Sequence, residues 1–485
     1  MIAVKLVLDS SDLLTISMVS YPLMRLRGDN PKRRSGHKFA HRRETAPVEV
    51  EVESLAWGGK GVAHHDGKAI FVSKVVPGDK LLVRLTRVKT SYAEAEAFSM
   101  LKPSPDRVEP KCKFFSHCGG CQWLSTSYPR QLAAKEQLLR SALRHHLDGA
   151  ELLPIVPAEP SLGYRHRGEF HVYPTGETVK IGFFQEESHR VINLDTCLLF
   201  DSSYNLRYQE LRAALKEEPA ARALESVTMD RSDGAESYVL HFRLHHGGEP
   251  EASRLCEIAE SLGFQGALAT PASDATREIA KVGRPWTTYS LGTAETGADK
   301  DFLLRADARS FTQAHYAMNR KLVGSVLEWL ALLRDERVLD LYAGGGNFSL
   351  PMASRCKQVV AVEGSLIAHR DAKENARESN VLNIVHVPGE AAEQTAMLVA
   401  GGEQFDAVVL DPPRTGAKEA LGNVASLASN RIIYISCSLP ALDRDLAMLK
   451  EHGFRVSRIQ GWDLFPQTYN LETMVLLIRQ TGGQC

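Results

Sequence analysis

The chain has 485 residues, 44% of them hydrophobic and 24% charged, with a formal net charge of −1. Those values suit several globular domains and exclude a fibrous or low-complexity protein. No apolar run reaches the length of a bilayer span, and the opening residues are broken by Lys5, Asp9 and Asp12. A cytoplasmic protein with no membrane contact is expected, in which eight cysteines act as thiols, metal ligands or catalysts rather than disulfides.

Basic residues gather early in the chain. Residues 1–111 hold 19 Lys and Arg against 13 Asp and Glu, and "RLRGDNPKRRSGHKFAHRRE" (25–44) is the densest block. Residues 1–46 therefore read as a disordered basic arm suited to a phosphate-rich partner. Residues 47–105 alternate apolar and polar side chains between turn signals at "WGGKG", "HDGK" and "PGD", which predicts about five strands in an OB-like barrel. Gly58, Gly59, Lys60, Gly61, Lys68 and Lys74 fall at its turns, where RNA backbone contacts are expected.

Residues 106–300 read as a cluster-binding and central α+β domain. It opens with "CKFFSHCGGCQW", which places Cys112, Cys118 and Cys121 at C-x5-C-x2-C spacing in a glycine-containing loop. Three thiols so close predict a metal or cluster site, and Cys197 in "HRVINLDTCLLF" is the best fourth ligand; the spacing fits zinc and iron–sulfur alike. Strands are predicted at "RHRGEFHVY" and "SYVLHFRLHH", and a helix at "EASRLCEIAESLGF". Arg165, His166 and Arg167 are candidates to hold phosphate or base. Cys256 falls on that amphipathic helix and reads as structural, whereas Cys356 and Cys485 have no such company and read as incidental.

Residues 301–485 alternate strands and helices, with apolar runs at "RVLDLYAG", "QVVAVEG", "NIVHVPG", "FDAVVLDPPR", "RIIYISC" and "TMVLLIR". This predicts a doubly wound, Rossmann-like sheet with ligands over its strand ends. Gly344, Gly345 and Gly346 permit a tight turn after the first strand. Glu363, seventeen residues beyond Gly346, ends the next strand and is placed to accept from both hydroxyls of a ribose. "LDPPRTG" closes the fourth strand, where Asp411 can hydrogen-bond and Pro412 and Pro413 fix the backbone. An Asp-Pro-Pro motif there suits the methyl-donor site of a Rossmann-like methyltransferase. Cys437 then ends the fifth strand, facing the same crevice.

With these motifs in order, the sequence resembles the bacterial RNA uracil-5-methyltransferases from about residue 47 to the end. It is most similar to the 23S rRNA-directed branch, because the tRNA-directed branch generally lacks the N-terminal TRAM barrel and the cysteine cluster. The resemblance implies methyl transfer from S-adenosylmethionine to C5 of a uridine, with rRNA as the first expectation for the RNA partner and tRNA as the second. It implies a [4Fe-4S] cluster on Cys112, Cys118, Cys121 and Cys197. It assigns Gln313, Tyr342, Asn347, Glu363, Glu390 and Asp411 to S-adenosylmethionine, Cys437 as nucleophile and Glu472 in "FPQTYNLET" as base. Three positions depart from the family pattern: Ser438 stands for Asn, Asn470 for His and Ala343 for Cys. An amino-N-methyltransferase of nucleic acid and a non-catalytic RNA-binding assembly factor are the alternatives; neither needs Cys437 and Glu472 together. Nothing in the sequence requires a protein partner, and a monomer is expected.

Overall fold

In the computed structural model, which describes residues 4–8, 14–18, 46–246, 248–293 and 300–480, the alternation over 48–102 forms strands with one buried face. The basic stretch 25–44 lies outside the described residues; before it the backbone of Val4–Leu8 pairs antiparallel with Leu14–Met18. Contacts divide the chain into two units, Met1–Val108 and Glu109–Cys485.

The first unit is a curled sheet of six strands in which Val48–Glu51, Lys80–Val88, Tyr92–Lys102, Lys68–Val72, Gly61–His65 and Ser54–Leu55 are successive neighbours. Its core is aliphatic, built on Val50, Val52, Ile70, Val72, Leu81 and Val83. Register shifts along the long Lys80–Val88/Tyr92–Lys102 pair bend the sheet on itself. Gly61 faces inward: a Cβ there would lie 2.3 Å from Val75 Cγ2, so packing demands glycine at this position. Lys60 pairs with Glu94 at 3.6 Å. These two turn residues thus serve the sheet itself. Burial pushes Asp79 upward, but Arg107 and the N–H groups of Ser104 and Val76 outweigh it and hold the carboxyl below its ordinary range.

Two large sheets and one antiparallel pair, Trp286–Ser290 with Leu303–Asp307, build the second unit. The first has six strands, in the order Thr178–Gly182, Arg167–Thr175, Leu224–Arg231, Tyr238–Leu244, Gly266–Pro271 and Ala280–Gly283. All pair antiparallel except Tyr238–Leu244 with Gly266–Pro271, which the helix Glu249–Ser261 connects. Aromatic rings of Phe170, Phe200, Tyr204 and Tyr208 stack in its core, beneath the helix Ser202–Leu215.

The second sheet has eight strands: β1 (Glu151–Val156), β2 (Arg337–Leu341), β3 (Gln358–Glu363), β4 (Ile384–Pro388), β5 (Phe405–Leu410), β6 (Ala428–Ser436), β7 (Phe454–Trp462) and β8 (Glu472–Arg479). Their order is 4-3-2-5-6-8-7-1. Pairs among β2–β6 are parallel, and β8 is antiparallel to both of its neighbours, β6 and β7. Of the strands from Arg337 onward, all but β7 are those the apolar runs predict, and the nearly continuous burial of β2, β3 and β5 is that of strands covered on both faces. This is the Rossmann-like arrangement expected of the C-terminal region. Helix Tyr128–Ala142 is held to the sheet's last connection by a fully buried ion pair, Lys135 Nζ to Asp463 Oδ1 at 2.5 Å, and Tyr128 donates to Asp463 Oδ2 at 2.9 Å. Among the described residues no helix is long and apolar enough to cross a membrane.

Candidate active site

At its carboxyl end β2 runs into a loop where Tyr342 (φ 61°), Gly344 (φ 55°) and Gly346 (φ 95°) are left-handed. Glycine adopts that region freely, whereas a tyrosine there stores backbone strain of the kind found where ligands are gripped. Glu363, at the end of β3, accepts from Gly344 N at 2.8 Å and from Ser365 N at 2.6 Å, which ties the loop to the neighbouring strand end. Glu390 stands at the start of helix Ala391–Ala400, so close to Gly364 that a Cβ there would be 2.9 Å from its Oε1. Asn347 makes a reciprocal amide pair with Asn319, with bonds of 2.8 and 3.0 Å. Gln313 is half-buried in the segment leading into helix Tyr316–Leu330.

Asp340 underlies this loop and was not singled out from the sequence. It accepts from the Ser349 hydroxyl. Burial pushes its carboxyl up to about 7, opposed by the Ser349 bond and reinforced by the charges of Asp411 and Glu363. A charged residue one step before the end of a buried strand is the signal that would have found it. Burial likewise raises Asp411 to about 7. Carboxyls crowded in this way fit a ligand that brings positive charge, as the amino and sulfonium groups of S-adenosylmethionine do.

The register of the sheet brings Cys437 and Glu472 together. Ser436 on β6 lies opposite Thr473 on β8 as the last pair of their register, so Cys437, which follows the one, and Glu472, which precedes the other, are brought together at the strand end. Glu472 is only 3% exposed, and its Oε1 has no hydrogen-bond partner among the described residues. Burial, reinforced by the charge of Asp411 and opposed by Arg414, raises its carboxyl well above the ordinary range. Burial also pushes the Cys437 thiol up to about 11, with Glu472 and Asp411 adding to the shift and Arg414 opposing it. Arg414, the fourth residue of DPPR, is thus the nearby cation, and the sequence alone assigned it no role. Of the three departures, Ala343 is buried and donates its N–H to Val362 O at 3.1 Å. Ser438 donates its N–H to Ser436 Oγ at 3.1 Å, and Asn470 turns back on Thr468 Oγ1 at 3.3 Å.

The other four cysteines form a separate group. Cys112, Cys118, Cys121 and Cys197 line one cavity walled by Phe114, Phe115, Leu124, Phe183 and Leu194. Burial raises Cys121 and Cys197, the latter to about 11, and charge on the neighbouring sulfurs adds to the shift while Arg165 opposes it. Among the described residues no group of three or more His, Cys, Asp or Glu is arranged to hold a metal ion. The donor set, four thiols in an apolar wall, fits the four-thiolate ligation of an iron–sulfur cluster.

The "RHR" run departs from expectation. Arg167 donates to Asp230 Oδ2 (2.9 Å), Ser310 O (2.7 Å) and Ala308 O (3.2 Å), while His166 is buried and stacked on Tyr316. Both are engaged inside the molecule rather than held out for phosphate. Arg165 Nε in turn donates to Arg167 O at 3.4 Å, and its charge opposes the rise of the Cys121 and Cys197 thiols.

Known proteins resemble this chain over most of its length. The family model described as tRNA (uracil-5-)-methyltransferase matches residues 127–480, and the TRAM domain model matches residues 42–98. A 23S rRNA (uracil(1939)-C(5))-methyltransferase, RlmD, of Pectobacterium atrosepticum is 31% identical over 89% of this chain and 94% of its own. An uncharacterized RNA methyltransferase of Thermosynechococcus vestitus is 33% identical over 89% of this chain and 98% of its own. Among solved structures, the Pyrococcus abyssi tRNA (uracil-54, C5)-methyltransferase in complex with S-adenosyl-L-homocysteine shares the fold, with a TM-score of 0.68, 23% identity and coverage of 88% of this chain and 99% of that one.

Proposed function

Since the chain belongs to the tRNA (uracil-5-)-methyltransferase family, we propose that it transfers a methyl group from S-adenosylmethionine to C5 of a uridine in RNA, with 23S rRNA as the target, through a covalent bond from Cys437 to C6. The observation that carries this reading is the register pairing that seats Cys437 beside Glu472, with Asp411 and Arg414 within electrostatic reach. The rRNA target is supported by relatives named as 23S rRNA methyltransferases.

Uracil C5 is a weak nucleophile. Addition of the Cys437 thiolate to C6 pushes electrons through C5 toward O4, and the enolate so formed attacks the sulfonium methyl. C5 then carries both a methyl group and a proton. Glu472 removes the proton, the C5–C6 double bond reforms and the thiolate leaves. A carboxylate whose affinity for protons is raised by burial is a stronger base for this step than an exposed one. Gln313, Tyr342, Asn347, Glu363, Glu390 and Asp411 are the residues assigned to the methyl donor. Cys112, Cys118, Cys121 and Cys197 would hold a [4Fe-4S] cluster, which when bound cross-links the loop 112–121 to Cys197 and supplies no electron to this chemistry.

The test is RNA carrying 5-fluorouridine, mixed with protein and S-adenosylmethionine under anaerobic conditions. Fluorine at C5 cannot leave as a proton, so a denaturation-resistant, methylated adduct mapping to Cys437 is expected. Normal donor binding with no adduct would move the assignment to amino-N-methyl transfer.

Base chemistry on a stacked uridine requires flipping it out, at about a few kcal/mol, and RNA contacts elsewhere must offset that cost. Residues 1–108, which include the basic block and the TRAM module, are the proposed source. Deleting them is expected to weaken RNA binding at least about tenfold, with a shallower salt dependence, while S-adenosylmethionine affinity stays constant. Filter binding across a salt series reads both quantities, and unchanged RNA affinity overturns the assignment.

A further inference from the structure

Five residues before Glu472, Gln467 sits in a buried connection between β7 and β8 with φ 70°. A non-glycine residue holds that conformation only where its surroundings over-determine it, and here they do. Its carbonyl accepts from Gln122 N (3.2 Å) and Trp123 N (3.0 Å), the two peptides directly after Cys121. Its own N–H donates to Gln131 Oε1 at 3.0 Å, and its Oε1 accepts from Gln131 Nε2 at 2.9 Å. Gln131 Nε2 also donates to Trp123 O (3.1 Å) and Thr126 O (2.8 Å), and Gln467 Nε2 donates to Ser161 O at 3.3 Å. Gln131, Gln467 and Trp123 are all buried, so none of these bonds is readily exchanged for water.

The four-cysteine loop is therefore hydrogen-bonded to the connection that ends in the carboxylate. On the sheet itself Cys437 follows β6, whose strand pairs on both sides and needs no such tie. We propose that Gln131 and Gln467 are positioning residues for Glu472: they clamp the connection 463–471 to the peptide after Cys121, so that order in the cysteine loop reaches the base and not the nucleophile. This inference rests on the reading of Glu472 as the base, and it gives the four-cysteine site a task in a reaction that uses no electron.

The test is Gln131→Met, which keeps the side-chain length and removes the amide bonds. In single turnovers on RNA with ordinary uridine, the methylated covalent adduct should form within about threefold of the wild-type rate. Its breakdown should slow at least about tenfold, so that adduct accumulates on a denaturing gel while the Kd values for RNA and donor are unchanged. Equal slowing of both steps, or of neither, overturns the proposal. A second readout covers a variant that folds poorly: amide hydrogen exchange of wild type against Cys121→Ser. Faster exchange across 463–471 with 430–437 unchanged is expected, and no change in 463–471, or an equal rise in both segments, overturns it. Wild-type protein that forms no adduct on 5-fluorouridine RNA would instead sink the catalytic reading, leaving the exchange experiment to judge the clamp alone.

Discussion

Cys437→Ala is expected to lose turnover by about 10⁴-fold or more and to form no adduct on 5-fluorouridine RNA, with donor and RNA binding intact. The loss is near-complete because the charged groups acting on Cys437, the carboxyls Glu472 and Asp411 and the guanidinium Arg414, offer no equivalent nucleophile. The same surroundings set the pH dependence. With the thiol at about 11, on the order of one molecule in 10⁴ carries a thiolate at neutral pH before RNA binds. Below that value the thiolate fraction rises with pH, so the rate of adduct formation should climb about tenfold per pH unit through the range from about 7 to 9. A rapid-quench series over that range checks it, and a flat profile would mean that the thiolate is already formed by some cation the free enzyme presents.

Glu472→Gln is expected to separate the two halves of the reaction. Release of methylated RNA should slow by about 10²- to 10⁴-fold, the usual worth of a positioned general base. Adduct formation should not fall with it. The Glu472 charge is the strongest electrostatic contribution raising the Cys437 thiol, so its removal lowers the thiol toward its ordinary value. The pH profile of adduct formation in Glu472→Gln should therefore move to lower pH than in wild type, while adduct persists on unmodified uridine. Normal release by this variant would refute the role given to Glu472. Loss of adduct formation together with release would point to a part for the carboxylate in setting up the nucleophile.

What the sequence reveals of this molecule follows from how local each feature is. Strands β2, β3 and β5 were legible because burial on both faces leaves continuous apolar runs, whereas β7, "FRVSRIQGW", leaves none; the glycine loop and DPPR were legible because backbone conformation demands those residues. Cys437 was legible from its place at a strand end. Its partnership with Glu472 was supplied by resemblance, since the two lie 35 positions apart and only the β6–β8 register makes them neighbours. Other features carry no local signal. Arg167 looks like a surface cation beside Arg165, and only Asp230, Ser310 and Ala308, all distant in sequence, turn it inward. Gly61 reads as a turn residue open to RNA, yet its lack of a side chain serves Val75 and Val52. The amide pair of Gln131 with Gln467 spans 336 positions, and two glutamines in buried polar contact leave no periodic trace. Strand β1 is likewise silent: nothing in "ELLPIV" announces that it will lie beside β7.

The strand order 4-3-2-5-6-8-7-1 has a consequence for biogenesis. As the polypeptide emerges from its amino end, β6 and β7 are made before β8, yet β8 lies between them. Until it arrives, both of its neighbours present open edges, which are templates for wrong pairing, and β1 has only β7 to join. Insertion of β8 closes both edges in one step and delivers Glu472 beside Cys437 in the same motion. A nascent chain halted before Glu472 thus carries Cys437 without its neighbour, and with both sheet edges still open.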